Sequence, residues 1–506
     1  MSLISLKILI FLPLVFCCLF LTPIFSGHSV LIRRLAKTFS AIIFLYSLLF
    51  FIGFNPADGI NFSESLKFLG DDWLDALGIS LSFGLDSLSL VMILLTTFLA
   101  LIACMASKGV IKSKHSLYYA LIFLLEFAVL GVFSAQDIFE FFMFWELELI
   151  PTYFLISLWG EGKAKKSAMQ FLLYTFGGSI FMLCGFLMLY NFHFISTSQL
   201  TGCISELNFD YDVAPIHLQL IASILIFIGF AVKLPVIPLH SWLPKAHVDA
   251  PTPISILLAG LLLKMGAYGI LRFNIQLLPD PFLLMLPYLI ILAFINIIFA
   301  SILAYRQNDI KRIIAYSSIS AMGIILLGLC SLTSVGITGA IFLMLAHGVV
   351  SAGLFFIVGV IYERTKTREI SQLGGIASVM PRFSAFSLVI VLSAVGLPGL
   401  MLFVGEFLTL WGAFNSTVLN NYLIQVVALT SVVVIVLSVA YCLRFFHKVY
   451  YDTILERFEK IADITNNEAL VLFSITIVLI LFGCLPMTLI DTIKTCITTF
   501  IGAFGG

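Results

Sequence analysis

The sequence predicts an all-α polytopic membrane protein of about fourteen transmembrane helices, built as two inverted five-helix repeats in which helices 7 and 12 are broken. Three observations predict it. Of the 506 residues, 61% are hydrophobic and only 11% charged, against about 25% charged in soluble domains, which excludes a water-soluble enzyme. Fourteen apolar windows approach or exceed the roughly 20 residues that a helix needs to cross the hydrocarbon core. Two of those windows are interrupted by proline at corresponding places.

In chain order the windows are 5–25, 36–54, 85–106, 116–134, 136–158, 168–190, 216–240, 252–275, 281–304, 312–330, 334–361, 384–414, 423–446 and 467–490. The first reads as a retained span, because its apolar run is long and no small-residue cleavage site follows. Charge sorts the connections into two faces. The odd-to-even connections carry 21 basic residues, from Arg33 to Lys460, and the opposite face only Lys7, Lys67, Arg272 and Lys494. The two longest loops of that opposite face, 55–84 and 191–215, are acidic. This positive-inside asymmetry puts both termini on the non-cytoplasmic side.

The 27 Lys and Arg residues balance the 27 Asp and Glu, so no bulk basic field exists to attract nucleic acid. Nine cysteines are present without a C-x-x-C pair, mostly within apolar runs, where a thiol behaves as a small hydrophobe. No haem, iron–sulfur or zinc site is expected in this chain.

Two basic residues lie inside spans, Lys233 and Lys264, together with the acidic residues Glu126, Glu140, Glu146, Glu148 and Glu406. A lysine at mid-membrane costs at least about 2.5–3.5 kcal/mol, and such residues face a bundle interior, pair and mark ion paths. Lys233 stands in Ala231-Val-Lys-Leu-Pro-Val-Ile-Pro-Leu-His240. Each proline removes a backbone donor and clashes with the preceding turn, so the seventh span should break near Pro235. Span twelve repeats the device: Ala394-Val-Gly-Leu-Pro398 echoes Ala231-Val-Lys-Leu-Pro235 at an offset of 163, and Glu406 follows. Paired broken helices point to inverted transporter repeats with a midplane site. The expected organisation is residues 1–115 (helices 1–3 with an acidic loop), 116–276 (first repeat), 281–450 (second, inverted repeat) and 451–506 (helix 14 and tail).

Glu146 and Glu148 are two residues apart, about 200° around a regular helix, so only one can face a given partner. Glu126 and Glu140 read as peripheral, with Glu140 near the membrane edge beside Asp137. His240, His247 and His347 lie within or beside the spans, where imidazole can pass a proton between its two nitrogens. Metal binding by His240 and His247 is disfavoured by the intervening Pro244.

Specific stretches carry a family resemblance. They are Phe144-Trp-Glu-Leu-Glu-Leu-Ile-Pro151, Ala231–Pro244, Ala250–Gly266, Asn308-Asp-Ile-Lys-Arg-Ile-Ile-Ala-Tyr-Ser-Ser318, Ala346-His-Gly348, Val404-Gly-Glu-Phe407 and Phe83-Gly-Leu-Asp-Ser87. Over about residues 80 to 450 the chain resembles the subunit M family (chain 4 in organelles) of proton-pumping NADH–quinone oxidoreductase, respiratory complex I. The wording is closest to its cyanobacterial and plastid branch.

The resemblance implies an antiporter-like, proton-translocating subunit of the membrane arm, with redox chemistry done elsewhere in the complex. Partner subunits, sister antiporter-like subunits included, would carry FMN and iron–sulfur clusters and bind quinone. It implies a bacterial inner membrane, or a thylakoid or mitochondrial one in an organelle. Glu146 resembles the carboxylate that pairs with the broken-helix lysine, Lys233. Lys264 resembles the central lysine of the proton path, and Glu406 the exit glutamate of the far half-channel. His240 and His347 match positions along the hydrated axis. Moving Glu146 toward or away from Lys233 would alter how tightly the lysine holds its proton, passing protonation along Lys233, Lys264 and Glu406 through histidine and water.

The chain departs from the family wording at Ala321, Lys245 and Leu400-Met-Leu402. Ala321 cannot relay a proton, so water or a neighbouring side chain must bridge there. The related alternatives are a large subunit of a multisubunit Na+/H+ antiporter and the membrane arm of a membrane-bound hydrogenase. A membrane scaffold without transport is a third. The antiporter's large subunits share the core helices, and Glu406 argues against that alternative.

Overall fold

The computed structural model describes residues 5–23, 28–56, 59–66, 76–207, 214–418 and 422–502. Lys67 and part of the acidic loop expected over 55–84 lie outside the described residues, as do residues 208–213 of the second acidic loop.

Helices dominate because in lipid every backbone donor and acceptor must be satisfied within the segment. They are α1 (Leu6–Leu21), α2 (Ser29–Gly53), α3 (Ser87–Ala106), α4 (His115–Ser134), α5 (Ile138–Trp159) and α6 (Ala164–Thr197). The seventh window, 216–240, holds α7 (Ile216–Lys233) and a broken segment, and α8 (Trp242–Asp249) follows it. There follow α9 (Thr252–Ile275), α10 (Pro279–Arg306), α11 (Ile310–Cys330) and α12 (Ser334–Thr365). The twelfth window divides into α13 (Pro381–Ala394) and α14 (Met401–Phe414). The chain continues through α15 (Tyr422–Tyr451), α16 (Asn466–Cys484) and α17 (Met487–Gly502).

Among the described residues, twelve helices are long and apolar enough to span a membrane, with α1, α13 and α14 as shorter apolar helices. Adding α1 and counting α13 with α14 as one interrupted crossing accounts for all fourteen windows. Several starts are written locally. Asp86, Asp137, Asp309 and Thr333 accept backbone N–H groups at the heads of α3, α5, α11 and α12, and Thr465 with Glu468 forms a capping box on α16.

Two features depart from the expected helices. An antiparallel hairpin, β1 (Asn61–Leu66) and β2 (Leu81–Leu85), pairs Asn61 with Leu85 and Leu66 with Leu81. Its Glu64 accepts the Leu6 N–H at 2.9 Å and the Ser5 hydroxyl at 2.9 Å, capping α1. Helix α17 was expected only as a tail. It packs on α3 and α12, and Thr495 Oγ1 lies 2.8 Å from Ser87 Oγ.

Burial identifies the centre of the bundle. The apolar windows of α9 and α12 are wholly buried, whereas those of α2 and α16 are 28% buried and form the outer wall. The two central helices touch through glycine. A Cβ on Gly348 would meet the Gly260 carbonyl at 3.1 Å and the Leu95 side chain at 2.9 Å, so only hydrogen fits where α12 passes α9.

Candidate functional site

The site begins where α7 stops. Its last residue, Lys233, is 1% exposed. Pro235 and Pro238 lack N–H groups, and the ends of the broken helix find other partners. The Phe230 and Ala231 carbonyls accept from Leu234 N and Val236 N, each at 2.8 Å, and the Val232 carbonyl from Trp242 Nε1 at 2.9 Å. Asn296 of α10 holds the connecting segment from the other side. Its Oδ1 accepts the Ile237 N–H at 2.7 Å and its Nδ2 donates to the Pro235 carbonyl at 3.2 Å. The break is thus a built feature with its backbone groups satisfied, as expected near Pro235.

Lys233 Nζ forms an ion pair with Glu148 Oε1, a carboxylate that is itself fully buried. The ammonium also lies 5.3 Å from the Trp145 ring centroid and 5.4 Å from that of Phe171, within cation–π range. The expected partner was Glu146, and the pairing is corrected here to Glu148. The cause is local. Pro151 leaves the Leu147 carbonyl without its usual i+4 donor, and α5 is interrupted at Glu148, between segments Ile138–Leu147 and Leu149–Trp159. Thr152 Oγ1 donates to the Glu148 backbone carbonyl at 2.8 Å and to its Oε2 at 3.3 Å, fixing the carboxylate. Glu146 is half-buried with Oε1 unpartnered, yet near enough for its charge to act on Lys233.

The second centre is Lys264, fully buried midway along α9. Helix α9 is wound as a π-helix over Leu258–Leu262 and again over Ile270–Ile275, on either side of the lysine. Such wide turns concentrate at functional sites because they release carbonyls from the regular ladder. Lys264 Nζ binds the Ala259 carbonyl and lies 2.8 Å from His347 Nδ1 on α12. The Gly260–Gly348 contact, one turn away, sets that separation.

From His347 a cavity of about 40 Å³ leads to Glu406, room for about one or two waters. Its wall includes Ser301, Ser317, Ser318, Ser320, Ser351, Ser438 and Tyr441, contributed by α10, α11, α12 and α15. Ser301 Oγ and Ser320 Oγ are 2.9 Å apart. Ala321 lines the same cavity, so hydroxyls surround the position at which the chain lacks a proton-carrying side chain. Glu406, one turn into α14, sets its Oε2 against the second helix break, 2.7 Å from where a Cβ on Gly396 would lie. Gly396 has φ +77°, so glycine is required there on both counts.

The structure brings Lys264, His347 and Glu406 into one continuous system and places Lys233 with Glu148. No hydrogen bond among the described residues joins the Lys233–Glu148 pair to Lys264. They are linked by packing, since a Cβ on Gly266 would lie 2.8 Å from both Leu234 N and the Phe230 carbonyl. His240 stands apart in the broken segment, edge-on to Phe299 with ring centroids 6.2 Å apart and Nδ1 unpartnered. Glu140 fastens the hairpin face, accepting the Ser82 N–H at 3.2 Å. Glu126 is buried in α4 with both oxygens unpartnered.

Two contributors escaped the sequence reading. Lys311, one of the 21 basic residues of the odd-to-even connections, is 4% exposed and donates to the Ala250 carbonyl at 2.6 Å. Asn296 is an uncharged polar residue in an apolar window, the one signal that could have drawn attention to it. His247 is fully buried, stacked on Phe355 at 4.6 Å with neither ring nitrogen bonded, in the charge field of Lys311 and Lys264. Among the described residues no three His, Cys, Asp or Glu side chains cluster so as to hold a metal ion.

Residues 135–435 match the family model described as NADH:quinone oxidoreductase/Mrp antiporter, TM. The chain is 35% identical to NADH-quinone oxidoreductase subunit M of Rickettsia bellii, over 98% of both chains. It is 37% identical to NADH-ubiquinone oxidoreductase chain 4 of Marchantia polymorpha, covering 97% of this chain and 96% of that one. It is 39% identical to an NAD(P)H-quinone oxidoreductase chain 4 of Trichormus variabilis over 83% of this chain and 78% of the relative. Among solved structures, a chain of respiratory complex I from Thermus thermophilus superimposes with a TM-score of 0.86 at 27% identity, covering 99% of this chain and 100% of that one. A chain of the Mrp complex from Dietzia sp. has the same fold, with a TM-score of 0.84 at 23% identity over 98% of this chain and 52% of that one.

Proposed function

The chain belongs to the subunit M (chain 4) family of NADH–quinone oxidoreductase, and from that premise we propose a route for the proton through its own residues. It is an antiporter-like, proton-translocating subunit of the complex's membrane arm, a multi-pass membrane protein whose neighbours are other membrane-arm subunits. Electron transfer from NADH to quinone belongs to partner chains that carry FMN and iron–sulfur clusters. The charge asymmetry supports both termini on the non-cytoplasmic side.

Lys233 is the sensing group. It is held by Glu148, with Glu146 as the second carboxylate in range. A shift of either carboxylate, driven by the redox event in the complex, changes how strongly the buried ammonium retains its proton. Lys264 is the central carrier. As an ammonium it donates to His347 Nδ1, and transfer to that nitrogen lets the ring release its other proton into the serine-lined cavity. Water and hydroxyls carry the proton past Ala321 to Glu406, which delivers it to the far side. His240 lends polarity to the break without lying in the transfer line. Segments 116–276 and 281–450 are the two inverted half-channels, flanked by 1–115 and 451–506, a division supported by the paired breaks beside Lys233 and Glu406.

One observation carries the route: the 2.8 Å approach of Lys264 to His347 on two wholly buried helices, opening on a cavity that ends at Glu406. The test is Lys264→Ala in the whole complex, reconstituted into sealed vesicles. Pumping should fall at least tenfold with the complex assembled. Undiminished proton transfer per electron would refute the route.

A further inference from the structure

Helix α9 carries a second polar column, running from Lys264 toward the face of the hairpin. Tyr268 follows one turn on and Arg272 one turn beyond that. Tyr268 Oη donates to the Phe133 carbonyl at 3.2 Å, with Ser89 Oγ at 3.0 Å. Arg272 donates through Nε to Tyr268 Oη at 3.2 Å and through Nη2 to Ser89 Oγ at 3.1 Å. Its Nη2 also forms a 2.5 Å ion pair with Asp86. Asp86 cannot swing away freely, because its Oδ1 accepts the Ser89 N–H at 2.8 Å as the cap of α3. Immediately beyond this tier lies a cavity of about 220 Å³, bordered by Asp86 and Arg272 with Gln136, Ser205, Gln276 and Thr495. The charge distribution assigns that face to the outside.

A vestibule wide enough for water thus ends at Arg272, two helical turns below the central lysine. A proton leaving Lys264 along α9 toward this vestibule would pass Tyr268 and then meet Arg272. What stands in that way is a guanidinium, which does not give up its proton at any working pH and so cannot relay one. A fixed arginine charge in a narrow pore also raises the barrier to protons and cations.

We propose that Arg272, clamped by Asp86, is the electrostatic plug that closes the first half-channel to the hairpin face and so commits the proton on Lys264 to His347 and Glu406. The proposal rests on Lys264 carrying the proton. It gives Arg272 a positioning role in coupling, distinct from merely stapling α9 to α3.

The experiment uses the whole complex in sealed vesicles with an internal pH dye. It measures redox turnover, protons moved per turnover, and passive proton conductance under an imposed pH gradient without substrate. Arg272→Gln should leave redox turnover near wild type, raise passive conductance at least tenfold and lower protons per turnover. Arg272→Lys, which keeps the charge and loses the fork, should stay sealed. Adding Lys264→Ala to Arg272→Gln should return the conductance to the wild-type level. If Arg272→Gln does not assemble, Gln276→Glu sets a carboxylate beside Nη1, now 3.5 Å from the Gln276 oxygen. It should raise conductance about threefold.

Wild-type conductance in Arg272→Gln, or in Gln276→Glu where that is the variant available, overturns the plug. So does a leak that persists in the Lys264→Ala double variant. Full pumping by Lys264→Ala alone would instead remove the relay itself, and the two failures are distinguishable.

Discussion

Lys233 is paired with Glu148, while Glu146, two residues earlier on the same helix, leaves a carboxylate oxygen unbonded. The buried ammonium therefore has one carboxylate in contact and another in reserve.

Glu148→Gln should be the more damaging of the two substitutions. Removing one member of a buried ion pair costs about 3–5 kcal/mol, because the other charge stays behind. We expect reduced assembly on native gels and a pumping rate at least tenfold lower. Replacing both members, Lys233→Met with Glu148→Met, should restore assembly and not pumping. Glu146→Gln should impair pumping with assembly intact. Normal stoichiometry in Glu148→Gln would remove Glu148 from the mechanism.

Asn296→Ala should loosen the broken segment of the seventh crossing. It leaves the Ile237 N–H and the Pro235 carbonyl without the partners they now have, and an orphaned buried group costs about 1–3 kcal/mol. Faster deuterium uptake confined to residues 234–241, with a several-fold loss of pumping, is the expected pattern. Unchanged uptake would show that the prolines alone hold the segment.

Gly348→Val tests the contact between α9 and α12. The side chain must displace the Gly260 carbonyl or Leu95, widening the gap between Lys264 and His347. Pumping should fall at least tenfold while the Lys233–Glu148 pair persists. A pumping rate within a factor of two of wild type would mean that Lys264 reaches His347 by another adjustment.

Ala321 offers a test of the cavity in both directions. Ala321→Phe fills a space of about 40 Å³ and should block transfer to Glu406. Ala321→Ser adds one more hydroxyl and should leave the rate at or above wild type. Equal rates in all three would show that protons bypass this cavity.

Much of the frame was legible because membranes punish ambiguity. An apolar window of sufficient length has few alternatives to a helix, and Pro235 and Pro398 announce breaks by removing donors. Lys233, Lys264 and Glu406 stood out because a charge in such a window is costly. The choice between Glu146 and Glu148 was not legible. A separation of about 200° lets only one of them face Lys233, as observed, and does not say which. The burial of Lys311 was not legible, because its place at a connection fixes the side of the membrane and not whether the side chain bends inward. The hairpin and α17 fall outside the strongly apolar windows, so the length criterion passes over them.

The loose winding of α9 has a consequence for how this helix tolerates change in length. A π-turn holds one residue more per turn than the α-helix around it. Excision of a single residue from Leu258–Leu262 could therefore be absorbed as a return to regular pitch, with Tyr268 and Arg272 still facing α3. What such a shortened chain would lose is the Ala259 carbonyl as a resting place for the lysine amine. On the proposed route the spare residue serves the lysine, while the helix itself does not need it.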